Sequence, residues 1–228
     1  MSYSREQPSA RYKELIEQYR SLHLRGDAGY GLPPQATFDG RSLPRQAQRI
    51  RRLIKLSDAR TILDYGSGKG TQYVPAKIFE NGIAQWNSIQ EYWGVDKIQC
   101  YDPGFEPLSA WPQSQFDGVV CTDVLEHCPE DDLPWIVSEL FRYSRRFVFA
   151  SVACYPANKK LPSGENAHCT IRDADYWERL FLSAAERSPG VLWELWAETA
   201  RNKPGSETRR ANFEPLPERP QVPLWRMV

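Results

Sequence analysis

The chain has 228 residues, 29 Lys+Arg balanced by 29 Asp+Glu, and 41% apolar residues. That length suits one α/β domain or two small ones, and zero net charge disfavours a strongly basic nucleic-acid binder. With 8 Trp, 11 Tyr and 9 Phe, a packed core is expected rather than disorder. No apolar run approaches the ~20 residues that span a bilayer, so no membrane contact is expected. The first residues carry charges where a signal peptide needs its apolar stretch. The five Cys lack CxxC spacing and read as reduced thiols, so a cytoplasmic location is expected.

In chain order, residues 9–24 place Tyr12, Leu15, Ile16, Tyr19 and Leu22 at helical spacing. Six Gly and Pro mark 26–40 as loop. Ser42 can cap a second helix, with Pro44 in its first turn, that runs to about Ser57. Thr61-Ile-Leu-Asp-Tyr-Gly66 is a short buried strand, with a helix expected over about Val74–Glu80. Residues 98–104, 116–123 and 145–152 are further apolar runs bounded by turns, and 130–144 and 172–186 read as helices. Strand alternating with helix predicts a parallel sheet. Residues 191–199 and 207–213 flank Lys203-Pro204-Gly205, a type II turn, and predict an antiparallel hairpin at the sheet edge. Residues 1–58 thus form a helical cap, 59–214 the core, and the Pro-rich 215–228 an extended tail.

The sharpest motif is Asp64-Tyr65-Gly66-Ser67-Gly68-Lys69-Gly70, after a predicted strand and before a predicted helix. Gly66 and Gly68 let a ligand approach the backbone, and N–H groups at a helix start favour an anion. The spacing is neither that of the nicotinamide fingerprint nor that of the P-loop. An Asp two residues before the first Gly suits a ligand with a cationic centre beside a carboxylate. Two acids can end the second strand, Asp96 and Asp102. The longer β-rich run and its Pro-Gly stop favour Asp102.

The chain resembles the class I S-adenosylmethionine-dependent methyltransferases. Leu63–Gly70 matches their first motif and Phe116–His127 their fourth, and the resemblance spans about residues 59–200. The string from Tyr101-Asp-Pro-Gly104 through 116–132 to Gly164-Glu-Asn-Ala-His168 looks like a bacterial and phage branch of that family. The resemblance implies a Rossmann-like sheet with an antiparallel last strand and the cofactor at the carboxyl ends of the strands. Asp64, Tyr65, Gly66, Ser67, Gly68 and Gly70 would then hold the methionine part. The acid ending the second strand would take both ribose hydroxyls, and Asp123 would face the cofactor from the fourth strand. Only 13 residues separate Asp102 from Phe116, so the family's outer strand is expected to be shortened.

Asp123, Glu126 and His127 sit where the fourth strand meets its helix, and His168 lies in a loop that opens on the same edge. Two chemistries fit. In one, His127 or His168 is a general base on a substrate hydroxyl, near Glu126. In the other, all four residues hold a divalent metal, as is similar to the small-RNA 2′-O-methyltransferases. A bland alternative makes Glu126 and His127 helix braces. Neighbouring residues point apart, so zinc held by both His-Cys pairs, 127–128 and 168–169, is not expected. Arg45, Arg49 and Arg52 share a face of a basic helix that also carries Arg41, and read as a solvated face, with a phosphate-bearing ligand as the alternative. The expected activity is O-methylation of a small-molecule or sugar hydroxyl. The alternatives are a metal-dependent RNA 2′-O-methyltransferase and a non-catalytic cofactor-binding scaffold.

Overall fold

Runs such as Val119-Val120-Cys121 and Phe147-Val148-Phe149-Ala150 have no polar alternation, so both faces of their strands must be covered. The computed structural model describes residues 3–38, 40, 42–80, 83–200, 203, 205–214 and 225–227. Helices α1 (Ala10–Arg25) and α2 (Leu43–Ser57) lead into β1 (Thr61–Tyr65). Then come β2 (Lys77–Glu80), β3 (Ile83–Trp86), α3 (Ile89–Trp93), β4 (Lys97–Tyr101) and β5 (Phe116–Thr122). The chain continues through α4 (Leu133–Tyr143), β6 (Ser144–Ala153), α5 (Ala174–Ala185), β7 (Leu192–Glu198), β8 (Glu207–Ala211) and β9 (Trp225–Met227).

Six strands form one sheet in the order β4-β1-β5-β6-β7-β8. The first five are parallel and β8 runs antiparallel to β7, so the architecture is the expected Rossmann-like α/β sheet with an antiparallel last strand. Alternate residues face opposite ways. Leu63, Val119, Cys121, Val148 and Ala150 join the core under α4 and α5. Ile62, Val120, Phe147 and Phe149 join that under α2 and α3. β1 has β4 on one side and β5 on the other, so the strand order reverses there and opens a crevice at the strand ends.

Three expectations need correction. The helix expected over Val74–Glu80 is absent: a 3-10 turn at Thr71–Tyr73 leads into β2, which pairs with β3 and β9 in a second, antiparallel sheet. Seven residues behind a Pro carry too little helical periodicity to resist strand pairing to a segment about 150 residues away. The shortened outer strand is no strand at all among the described residues; 102–115 hold a 3-10 turn at Glu106–Leu108, and β4 is the sheet edge. Within the tail, Trp225–Met227 pair as β9; 215–224 and Pro204 of the expected type II turn lie outside the described residues.

The basic face of α2 is solvated at Arg45, as expected, but not at Arg49, and only partly at Arg52. Arg49 is buried, makes two hydrogen bonds to the Glu207 carboxylate (2.9 and 2.7 Å), and lies 3.5 Å from the Trp196 ring centroid. Arg52 lies 3.7 Å from the buried Glu194, which also accepts from Arg209 at 2.9 Å. The hairpin β7–β8 supplies these acids, which the sequence places about 150 residues downstream. Arg41 lies outside the described residues.

Where β5 crosses β1 the packing leaves no spare volume. A Cβ on Gly118 would lie 2.2 Å from Phe147 Cε1 and 2.9 Å from Ile62 Cδ1. Gly118→Ala is expected to destabilise the protein by about 1–3 kcal/mol through overpacking. Urea unfolding would show this as a lower midpoint at unchanged slope, and an unchanged midpoint would refute it.

Candidate functional site

A cavity open to solvent lies at the carboxyl ends of β1, β4 and β5. Its floor is the glycine turn after β1, the Asp102–Gly104 segment after β4, and the Thr122–Pro129 segment after β5. Its roof is α1, which contributes Tyr12, Leu15, Ile16, Tyr19 and His23.

The glycine turn is built by close approach. Gly66 has φ +83° and packs under Val124; a Cβ there would lie 2.4 Å from Val124 Cγ2. Four of the turn's N–H groups are already used. Those of Gly66 and Ser67 donate to the Tyr101 carbonyl at 2.7 and 3.1 Å, that of Gly68 to Asp102 Oδ2 at 2.8 Å, and that of Gly70 to the Ser67 carbonyl at 3.1 Å. The expected anion cradle at a helix start is therefore absent, because no helix follows and the turn's amides bind protein acceptors. Gly66, Ser67, Gly68 and Tyr65 line the cavity, whereas Gly70 faces Cys100.

Asp64 lies beneath the turn, fully buried, and does not line the cavity. Its Oδ2 accepts from Gln72 Nε2 and the Tyr73 hydroxyl, both at 2.9 Å. Burial pushes its carboxyl up to about 6 against the pull of those donors. Gln72, which sequence reasoning missed, is held by Asp64 and by the Ser67 carbonyl (3.0 Å) and lines the cavity in its place. Three buried polar atoms of cavity-lining residues, Gln72 Oε1, Ser67 Oγ and the Tyr65 hydroxyl, have no hydrogen-bond partner among the described residues.

Asp102 follows β4 and lines the cavity; Asp96 precedes the same strand at its far end, where its N–H donates to the Arg60 carbonyl. Each Asp102 oxygen accepts one backbone N–H at 2.8 Å, Oδ2 from Gly68 and Oδ1 from Gly104. Each keeps a second lone pair. Burial pushes this carboxyl also up to about 6. His23 Nε2 stands 3.9 Å from Asp102 Oδ1. His23 Nδ1 accepts from Lys69 Nζ at 3.0 Å, and burial with the Lys69 charge pushes the imidazole down to about 3, so it is neutral.

At the cavity's other side, Asp123 ends the β5 segment with φ +55° and an exposed side chain bonded by Ser151 Oγ at 3.0 Å. An αL conformation at a non-glycine residue is sparse and is tolerated best by Asp and Asn. Glu126, His127 and His168 converge: one donor atom from each lies within 4.8 Å of the others, and Asp123 is outside that set. Glu126 is fully buried; its Oε1 accepts from the Ala153 N–H at 2.9 Å, and Oε2 has no hydrogen-bond partner among the described residues. Burial, with Asp123 and Glu198 nearby, holds its carboxyl well above the usual range. His127 Nδ1 lies 2.9 Å from the Ala167 carbonyl and 2.8 Å from the Tyr19 hydroxyl; His168 Nδ1 lies 2.6 Å from the Tyr155 carbonyl. A carbonyl only accepts, so both rings carry their proton at Nδ1, and Nε2 holds the lone pair in each. Burial, reinforced by His168, pushes His127 down to about 3.

Tyr19 and His23 come from α1, which the sequence places in the helical cap as an amphipathic helix without singling out these two as site residues. A face that packs and a face that lines a cavity carry the same 3.6-residue period, so no signal separated them. Comparison with protein-family models, with curated proteins and with solved structures finds no match to this chain.

A carboxyl raised to about 6 binds its proton more tightly folded than unfolded. Its favourable contribution is full below about pH 4 and is lost as pH rises through about 6. Asp64→Asn cannot titrate. The stability of Asp64→Asn relative to the parent protein should therefore improve by about 2 kcal/mol between about pH 4 and about pH 7 and then stay level. A difference that is flat with pH in urea titrations would contradict the buried-carboxyl account.

Proposed function

We propose that the protein is an S-adenosylmethionine-dependent methyltransferase acting on a hydroxyl of a small molecule or sugar. The observation that carries this reading is the acidic, glycine-walled cavity at the point where the strand order reverses, with Asp102 at the end of the strand beside β1. The motif resemblance agrees with it. The residues present fit the cofactor. Asp102 has lone pairs for two ribose hydroxyls, Gln72 Oε1 and the Tyr65 hydroxyl are buried polar atoms in need of partners, and Gly66 and Gly68 line the cavity. Two carboxyls pushed up by burial favour a ligand that brings positive charge. When bound, the cofactor supplies an electrophilic methyl group. The chain's own residues orient the ligand, and α1 excludes water from above.

For activation of the acceptor, the geometry favours a divalent ion over a histidine base. A base works best with a pKa near the working pH, and His127 is pushed far below it. Two Nδ1–H groups tied to backbone carbonyls leave the lone pairs at Nε2, and one nitrogen of each ring lies within 4.8 Å of a Glu126 oxygen, the kind of arrangement that orients metal-binding imidazoles. Ligands at ~2.1 Å from one ion lie at most ~4.2 Å apart, so the set needs to contract slightly to close on an ion. Bound there, the ion supplies Lewis-acid charge that eases loss of the acceptor proton. A small acceptor suits the chain better than nucleic acid because Arg49 and Arg52 are committed to Glu207 and Glu194.

Calorimetry with S-adenosylhomocysteine tests the cofactor. Asp102→Asn, which keeps the side chain's shape, should weaken binding about ten- to a hundredfold. A protein that binds NADH or ATP but not S-adenosylhomocysteine overturns the reading. Titration with Mn²⁺ followed by electron paramagnetic resonance tests the ion: one site is expected, and it should disappear in Glu126→Gln. Loss of the Mn²⁺ site with cofactor binding intact is expected of that variant, since Glu126 does not line the cavity.

A further inference from the structure

The Tyr19 hydroxyl is the one side-chain group from α1 that hydrogen-bonds the histidine centre among the described residues. It lies 2.8 Å from His127 Nδ1 and donates to the Ala167 carbonyl at 3.0 Å, while His127 Nδ1 is itself 2.9 Å from that carbonyl. Only one proton arrangement satisfies all three contacts. If Nδ1 were the bare nitrogen, its lone pair would face the carbonyl's lone pairs at 2.9 Å. With the proton on Nδ1, the ring donates into the space between the carbonyl and the phenol oxygen, and the phenol donates to the carbonyl's second lone pair. Burial holds the Tyr19 phenol well above its usual range, so it keeps the proton this arrangement needs.

Three separate parts of the chain meet at this triangle. Tyr19 is on α1, His127 follows β5, and Ala167 belongs to a loop clamped by Asn166. Asn166 Oδ1 accepts from the N–H groups of Ala157 and His168, both at 2.9 Å, and its Nδ2 donates to the Ala157 carbonyl at 2.8 Å. The Ala167 N–H donates to the Lys159 carbonyl at 3.1 Å. The Tyr19 ring packs edge-on against His127, 5.6 Å between centroids, and against Phe38 at 5.9 Å. The hydroxyl therefore joins the roof of the cavity to the wall that carries His127 and to the loop that carries His168.

The geometry points to Tyr19 as a positioning residue: its hydroxyl holds the His127 ring with Nδ1 protonated and the lone pair left at Nε2, so the histidine centre is complete only while α1 is docked. This inference rests on the metal reading of that centre. It gives α1 a second task besides covering the cavity, and it makes occupation of the cavity and assembly of the centre parts of one closure. His168 is an internal control, because its Nδ1 is held by the Tyr155 carbonyl and not by Tyr19.

Tyr19→Phe keeps the ring and its edge contacts and removes only the hydroxyl. The protein has three His, so their ring nitrogens can be assigned by ¹⁵N NMR with single-histidine variants. The His127 nitrogens are expected to shift in Tyr19→Phe and those of His168 to stay. Mn²⁺ affinity is expected to fall by about ten- to a hundredfold, as it does when an outer partner of a metal-binding His is removed. Unchanged His127 nitrogens, or equal disturbance of both rings, would overturn the positioning role. A parent protein that binds S-adenosylhomocysteine but no Mn²⁺ overturns the metal reading and this inference with it, leaving the cofactor reading standing. A parent protein that binds Mn²⁺ but no S-adenosylhomocysteine does the reverse.

Discussion

Because α2 and α3 cover one face of the sheet and α4 and α5 the other, the strand interiors have no room for uncompensated polar groups. Polar chemistry is therefore confined to the strand ends. The carboxyl ends of β1, β4 and β5 emerge side by side where the strand order reverses, and Asp102, Asp123, Glu126 and His127 are all within a few residues of those ends. The rest of the site follows from that confinement. Short loops on a rigid sheet can hold a constellation that a free loop could not.

The glycine turn and its acids act as one device. Gly66, Ser67 and Gly68 bind the β4 end through the Tyr101 carbonyl and the Asp102 carboxylate, which sets the shape of the cavity floor and uses up the amides. What the floor then offers a ligand is chiefly acceptors, Asp102 and Gln72 Oε1, with the Tyr65 hydroxyl able to accept or donate. A turn of this type with a helix behind it favours phosphate; with a hairpin behind it and carboxyls below, it favours a ligand with positive charge.

The helix α1 is anchored at both ends. At its start, the Ser9 N–H and hydroxyl both donate to the buried Asp132, and Arg5 donates to the Tyr143 hydroxyl at 2.9 Å. At its end, Lys69 of the glycine turn donates to His23 Nδ1 and to the Thr37 hydroxyl and carbonyl. The His23 ring is stacked between Phe38 and Phe105, 4.4 and 5.1 Å between centroids.

The strands of the main sheet and the helices α4 and α5 were legible in sequence because long apolar runs and 3.6-residue periodicity are local signals, and so were the glycine turn and Asp102. The antiparallel edge hairpin was legible for the same reason. The hairpin β2–β3 was not, since its pairing with Trp225–Met227 depends on a segment distant in the chain. The sequence also brought Glu126, His127 and His168 to one rim through topology, yet it could not separate Asp123 from them; that took the αL backbone at Asp123, which sends its carboxylate toward Ser151. Side-chain protonation was beyond sequence altogether. His127 and Asp64 depart from ordinary behaviour through burial and through partners contributed by α1, the loop at Ala167 and the turn at Gln72, and such environments exist only once the chain is folded.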